Sequence, residues 1–167
     1  TQLNEDGGIR WFDENSSIAA SIRVIQALAA AGYTQEYLTS AAGNTPVDFI
    51  TANAADWINQ AESEAPGFSV ARAGQLLTAI AAANADPNRF GRDELNLIRE
   101  IKLRYDPNSG IFGSANPENV MDQVWAILGL AANNAAVPEE AGAWLISAQA
   151  EDGSWNDGFG SYLDTTP

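Results

Sequence analysis

The amino-acid sequence predicts an all-α fold of stacked helical hairpins, and three observations lead there. Segments that are apolar almost all the way round alternate with segments that carry one polar stripe. No stretch shows the sustained two-residue alternation of a strand. Turns that pair glycine with an aromatic recur at Gly67-Phe68, Gly110-x-Phe112 and Gly153-x-Trp155, and the successive glycines stand 43 residues apart. That period suits a helix-pair repeat. All 167 residues are expected to form one domain.

Taken in order, Asn4 to Phe12 reads as a turn, because Asp6-Gly7-Gly8 supplies positive backbone φ without a β-carbon to resist it. A helix follows from a cap at Ser16 or Ser17 to Gly32. Ile18, Ile22, Ile25 and Ala29 line one face, Val24, Leu28 and Ala31 another, and Arg23 is its one charge. Tyr33 to Gly43 is a connector with a short helical turn around Gln35 to Leu38. Thr45-Pro46-Val47-Asp48 starts the second helix, with Thr as cap, Pro at the first helical position and Asp near the positive end of the helix dipole. This helix is expected to reach Glu62, packing Phe49, Ile50, Trp57 and Ile58 while Asp56, Asn59 and Gln60 meet water.

Beyond the turn Ala65-Pro66-Gly67-Phe68, Ser69 to Ala83 reads as a second apolar, alanine-rich helix, broken by Asp86-Pro87-Asn88. A charged helix is expected from Asp93 to Tyr105, packing Leu95, Ile98, Ile101 and Leu103 and pairing Glu100 with Arg104. Asp106 to Gly113 is a long turn, and Glu118 to Ala132 is mostly apolar helix. Val137-Pro138-Glu139-Glu140 opens one more amphipathic helix, Pro first and acids in the opening turn. Ser161 to Thr166 reads as the start of a further buried helix.

Composition narrows the chemistry. Lys+Arg 8 against Asp+Glu 22 gives −14, which removes the electrostatic drive for tracking phosphates, so no nucleic-acid partner is expected. Without Cys or His there is no disulfide, thiolate nucleophile, imidazole base or His/Cys metal site, and no cofactor or metal is expected. No apolar run reaches the length of a membrane span, and Thr1 to Asp6 has neither the basic region nor the apolar core of a signal peptide. The chain is expected to be soluble and to be a mature or trimmed piece.

Trp144-Leu145, three residues, Gln149, three residues, and Gly153-Ser154-Trp155 together resemble the QW motif of the terpenoid cyclase and protein prenyltransferase superfamily. Ala141 fits the small position near its start, while Glu140 stands where a basic residue often opens it. A degenerate copy runs Trp57-Ile58, Glu62 and Gly67-Phe68, a third survives as Gly110-Ile111-Phe112, and Gln2 near Gly7 is read as the tail of another. The resemblance implies an α/α toroid with inner and outer helix layers. About three hairpins are present, an incomplete ring that a longer polypeptide or a homodimer would complete. It also implies a structural role for Trp144, Gln149, Asp152, Gly153 and Trp155, with the amide satisfying helix-end groups and the indole covering the joint.

Class II terpene cyclases carry an Asp-x-Asp-Asp-Thr stretch whose central Asp donates a proton, and Leu163-Asp164-Thr165-Thr166 is similar only to its end. Leu163 occupies the donor position, so no catalytic residue is assigned, and Asp164 has the plainer reading of an acid in the first turn of a helix. Asp122 lies 42 residues before Asp164, and Arg72 falls near the matching point one hairpin earlier. Arg72, Asp122 and Asp164 are candidates for a ligand-binding rim, with salt bridging as the alternative. Trp125 is a candidate apolar contact in a central cavity, with core packing as the alternative. Asp106-Pro107-Asn108-Ser109-Gly110 resembles the opening of a calcium loop but lacks its later ligands and is explained better as a turn, and Glu5-Asp6, Glu151-Asp152 and Asn156-Asp157 are candidates only for weak calcium binding.

The expected function is a non-catalytic toroid module of a larger bacterial protein, binding an apolar or amphipathic ligand or a protein partner. A secreted or cell-surface location is expected, a cytoplasmic one being the alternative. The competing readings are a fragment of a cyclase-like or prenyltransferase-like enzyme whose catalytic residues lie outside this chain, and a purely structural spacer.

Overall fold

The computed structural model describes residues 3–59 and 67–158. Six α-helices lie in these segments: α1 (Ile18–Ala30), α2 (Pro46–Asn59), α3 (Val70–Ala82), α4 (Leu97–Lys102), α5 (Met121–Ala132) and α6 (Glu139–Ser147). A 3₁₀ turn at Gln35–Tyr37 falls inside the expected connector. Helices α1 to α4 start where short polar side chains can catch orphan N–H groups. Ser17 accepts from Ala20, Ser69 from Arg72 and Asn96 from Arg99. Thr45 and Asp48 form a reciprocal capping box ahead of Pro46, the Asp48 N–H donating to Thr45 Oγ1 and the Thr45 N–H to Asp48 Oδ2.

The architecture is mostly helical. α3 packs on α1 to one side and on α5 to the other, while α2, α4 and α6 pack against α1, α3 and α5 respectively. The middle position of α3 explains its burial: Val70, Ala73, Gly74, Leu76, Leu77, Ala79 and Ile80 are all shielded. One continuous core joins Ile22 and Ile25 of α1, Ile50 and Ile58 of α2, Leu76, Leu77 and Ile80 of α3, Leu97 and Ile101 of α4, and Leu130 of α5. Each fully buried Leu or Ile contributes roughly 1.5–3 kcal/mol by leaving water.

α3 and α5 approach closely because glycine lines the contact. A β-carbon on Gly129 would stand 2.7 Å from the Gly74 carbonyl oxygen, and one on Gly74 would overlap the Trp125 carbonyl. The alanine-rich composition thus becomes short interaxial distance. Polar side chains tie neighbouring helices: Gln26 Nε2 of α1 donates to Thr78 Oγ1 of α3 at 2.6 Å, and Asn133 Nδ2 at the end of α5 donates to the Leu77 carbonyl of α3 and the Gly129 carbonyl of its own helix at 2.8 Å.

The structure corrects several expectations. Two small antiparallel ribbons accompany the helices, β1 (Ile9–Arg10) with β2 (Ser16–Ser17), and β3 (Tyr105–Asp106) with β4 (Ile111–Phe112). Two-residue strands are too short to leave an alternation signal. The charged helix begins at Leu97 rather than Asp93, because Gly91 to Glu94 form a turn closed by the Phe90–Leu95 bridge, with Gly91 and Glu94 at positive φ. It also ends earlier, and Leu103 is exposed instead of packed. α5 starts at Met121, since Asn116 to Asn119 fold into their own turn. Gln2, Glu62 and the helix expected from Ser161, with Asp164, lie outside the described residues.

Candidate functional site

The starts of α3 and α5 stand side by side, and the cleft between them, of about 350 Å³, is lined by Arg72, Gln75, Met121, Asp122, Trp125 and Asp157 among others. Three of the four residues named from the sequence as rim or cavity candidates, Arg72, Asp122 and Trp125, therefore meet in one place. Asp164 lies outside the described residues.

Asp122 sits in the first turn of α5 and spans the cleft wall. Its Oδ1 accepts from the Ala71 N–H of α3 at 2.8 Å, and its Oδ2 accepts from the Ser114 N–H at 2.9 Å and the Ser114 hydroxyl at 3.0 Å. Gly113 is what allows this approach, since a β-carbon there would collide with the carboxylate. Both oxygens are engaged in tying α5 to the α3 N-terminus and to the loop after β4. These three charge-assisted hydrogen bonds hold the carboxylate in place.

Arg72 turns the other way along α3. Its Nη1 donates to the Trp57 carbonyl at 2.9 Å, and its guanidinium stands 5.4 Å from the Trp57 ring centroid. It fastens the end of α2 to α3 while its stem lines the cleft. Trp125 is half-buried, and its ring forms a wall of the cleft.

The cleft is closed at one end by the segment after the Trp144 to Trp155 joint. Val120 donates to the Asn156 carbonyl at 3.0 Å, Asn119 and Asp157 form an antiparallel bridge, and Gly158 lies against Asn119. The joint itself is internal fastening. The Trp155 indole N–H donates to the Leu145 carbonyl in the last turn of α6 at 2.7 Å, and Gln149 Nε2 donates to the Gly153 carbonyl at 2.8 Å. Asp152 Oδ1 accepts from the Ser154 N–H and hydroxyl, and these bonds, the hydroxyl first, hold its carboxyl below the usual carboxylate range. Trp144 is half-buried on α6. The turn inside the joint, from Ala150 to Ser154, has the same pair of backbone hydrogen bonds and the same glycine φ of 85° as Asn4 to Gly8 and Ser40 to Asn44.

The most consequential polar residue was not legible as one. Gln123, in the first turns of α5, is fully buried. Its Oε1 accepts from the Phe112 N–H at 2.8 Å, and its Nε2 donates to the Gly110 carbonyl at 2.9 Å and the Ala141 carbonyl at 2.8 Å. One amide thereby joins the Gly110-x-Phe112 turn, α5 and α6. Its sequence signal is the single amide of α5, directly after Asp122.

The Asp106 turn is likewise self-contained: Ser109 Oγ donates to Oδ2 at 2.7 Å, and Asn108 donates to Oδ1 through its N–H at 3.0 Å. Asp6 Oδ1 accepts from the Gly8 N–H and the Ser16 hydroxyl. Among the described residues no group of three or more acids is placed to hold a metal ion. No helix among them is long and apolar enough to cross a membrane. No family model, no curated protein and no solved structure matches this chain.

Proposed function

We propose that this chain is a non-catalytic α/α-toroid binding module of a larger protein, and that it takes an amphipathic ligand in the cleft between the starts of α3 and α5. The observation that carries this reading is the convergence of Arg72, Asp122 and Trp125 on one cleft, in which the Asp122 carboxylate is held by Ala71 and Ser114. The lining mixes apolar surface from Ala71, Ala115, Met121 and Trp125 with polar groups at Gln75 and Asn119. That mixture suits a ligand with an apolar body and a polar end. The toroid arrangement is supported by the order of packing, with α1, α3 and α5 in sequence along one row and one partner helix on each. It is also supported by the Trp155-to-Leu145 bond, which ties the joint to a helix end as the QW resemblance implies.

Titration with farnesol and dodecanol, followed by heteronuclear NMR, tests the reading. Saturable shifts centred on Ala71, Met121 and Trp125, lost in Trp125→Ala, are the expected result. Absence of saturable binding would favour the structural spacer. If the longer polypeptide turned over a polyprenyl substrate through residues outside this chain, the enzyme-fragment reading would replace this one.

A further inference from the structure

A second, larger concavity lies apart from the α3–α5 cleft, between the β1–β2 hairpin and α2, with a volume of about 740 Å³. Phe49, Asn53, Asp56 and Trp57 supply one wall, and their spacing of four, seven and eight residues puts them on a single helical face. The hairpin supplies the other wall with Trp11 and Phe12, whose rings meet edge to face at 5.5 Å. Phe12 is 94% exposed and Trp11 40%. An aromatic left almost wholly in water is unusual on a braced element, and this hairpin is braced. Ser16 Oγ donates to Asp6 at 2.7 Å, Asn4 Nδ2 to the Glu14 carbonyl at 2.9 Å, and the Ile9 N–H to the buried Ser21 hydroxyl at 3.0 Å.

The charged residues that line this groove are all acidic. Asp6, Asp13 and Asp56 line it, and no Lys or Arg is among the described lining residues. Both groove tryptophans already attract guanidinium groups of the chain itself, Arg23 standing 4.5 Å from the Trp11 ring centroid and Arg72 5.4 Å from that of Trp57. The lining carboxylates, the exposed Phe12 ring and a chain of net charge −14 together favour a positive occupant. An open trough, rather than a closed pocket, suits an extended segment. We propose that the groove between the β1–β2 hairpin and α2 docks a lysine- or arginine-bearing segment of a partner protein, with Phe12 and Trp11 covering its aliphatic stems and Asp13 and Asp56 meeting its charges. The groove and the α3–α5 cleft share no lining residue and differ in ligand chemistry, Arg72 of the cleft reaching the Trp57 ring of the groove.

The probe is a fluorescein-labelled peptide alternating Lys and Ser, with a Glu-for-Lys peptide as control, read by anisotropy at low and high salt. Phe12→Ser with Asp56→Asn alters exposed groups and leaves the core untouched. The double variant should weaken binding by at least about tenfold, the size of a desolvated cation–π contact. Glu139→Gln, an equal loss of one acid on α6, and Trp125→Ala in the other cleft should leave affinity unchanged. Equal weakening by Glu139→Gln would reduce the effect to bulk charge and overturn the proposal. Binding indifferent to the groove variant, or equal binding of the Glu peptide, would overturn it as well.

Discussion

The carbonyl oxygen of Gly74 on α3 lies 2.7 Å from where a β-carbon on Gly129 of α5 would stand. Both partners are backbone, so no rotamer change can relieve the overlap. Gly129→Ala should therefore destabilise the fold by roughly 1–3 kcal/mol through overpacking, in spite of alanine's better helix propensity. Gly142→Ala on α6 is the control, since open space surrounds that position. It should stabilise by up to about 1 kcal/mol. Urea midpoints moving in opposite directions for the two variants would confirm the contrast.

Gln123→Leu keeps the volume and removes three hydrogen bonds in the interior. The Phe112 N–H and the Gly110 and Ala141 carbonyls lose their amide partner. At about 1 kcal/mol or more for each stranded group, a loss of roughly 3–5 kcal/mol is expected. Differential scanning calorimetry measures it. Hydrogen exchange at Phe112 should accelerate more than at Ile25 on the far helix.

Trp155→Phe keeps a smaller ring over the joint and deletes the pyrrole half of the indole with the N–H that reaches Leu145. The expected cost is about 1 kcal/mol. Because Val120 donates to the Asn156 carbonyl beside it, exchange of the Val120 amide should speed up while that of α3 amides stays unchanged. An unaltered Val120 rate would mean that the joint and the α5 start are not coupled.

The pH response should have two limbs. The Asn88 N–H at Asp86, the Ser109 hydroxyl at Asp106 and the Ser154 hydroxyl at Asp152 each hold a carboxyl below its ordinary value of 3.8. Carboxyls lowered by folding stabilise above that ordinary value, and the contribution is lost as pH falls through the lower folded value. Asp106→Asn should flatten this acid limb in a pH series of melting temperatures. At the other end, burial first, and then the Glu140 and Asp106 charges, raise the Tyr105 hydroxyl above 10.0. Its contribution is complete below pH 10 and disappears as pH climbs through the raised folded value. The buried Tyr105 hydroxyl has no hydrogen-bond partner among the described residues, so Tyr105→Phe should remove the alkaline limb and leave neutral-pH stability equal or higher by up to about 1 kcal/mol.

Much of the helical framework was legible because its signals are local. Thr45-Pro46-Val47-Asp48 and Ser69 announce helix starts through the donors their side chains can satisfy, and the structure uses both. The two ribbons and the late starts of α4 and α5 were hidden for the opposite reason. Each depends on hydrogen bonds that short polar loops make with themselves, as at Phe90–Leu95 and Asn116–Asn119, which leave no periodic trace. The candidate cleft was half legible. A 42-residue spacing singled out Asp122, but only its bonds to Ala71 and Ser114 reveal a fastener. The groove under Phe12 left no mark, because it joins residues from Asp6 to Trp57 across a hairpin and a helix.

By itself, then, the sequence determined the alternation of apolar and wet-faced helices, the capped starts of α2 and α3, and the absence of Cys and His chemistry. Tertiary structure decided which of the polar residues became ties. Gln123, Asp122 and Trp155 could each have faced a ligand on periodicity alone. Packing α5 between α3 and α6 set the Phe112 N–H and the Gly110 and Ala141 carbonyls around the Gln123 amide in the interior, where leaving them unpaired is costly, while Asp122 and Trp155 reach backbone groups that folding brought to exposed positions.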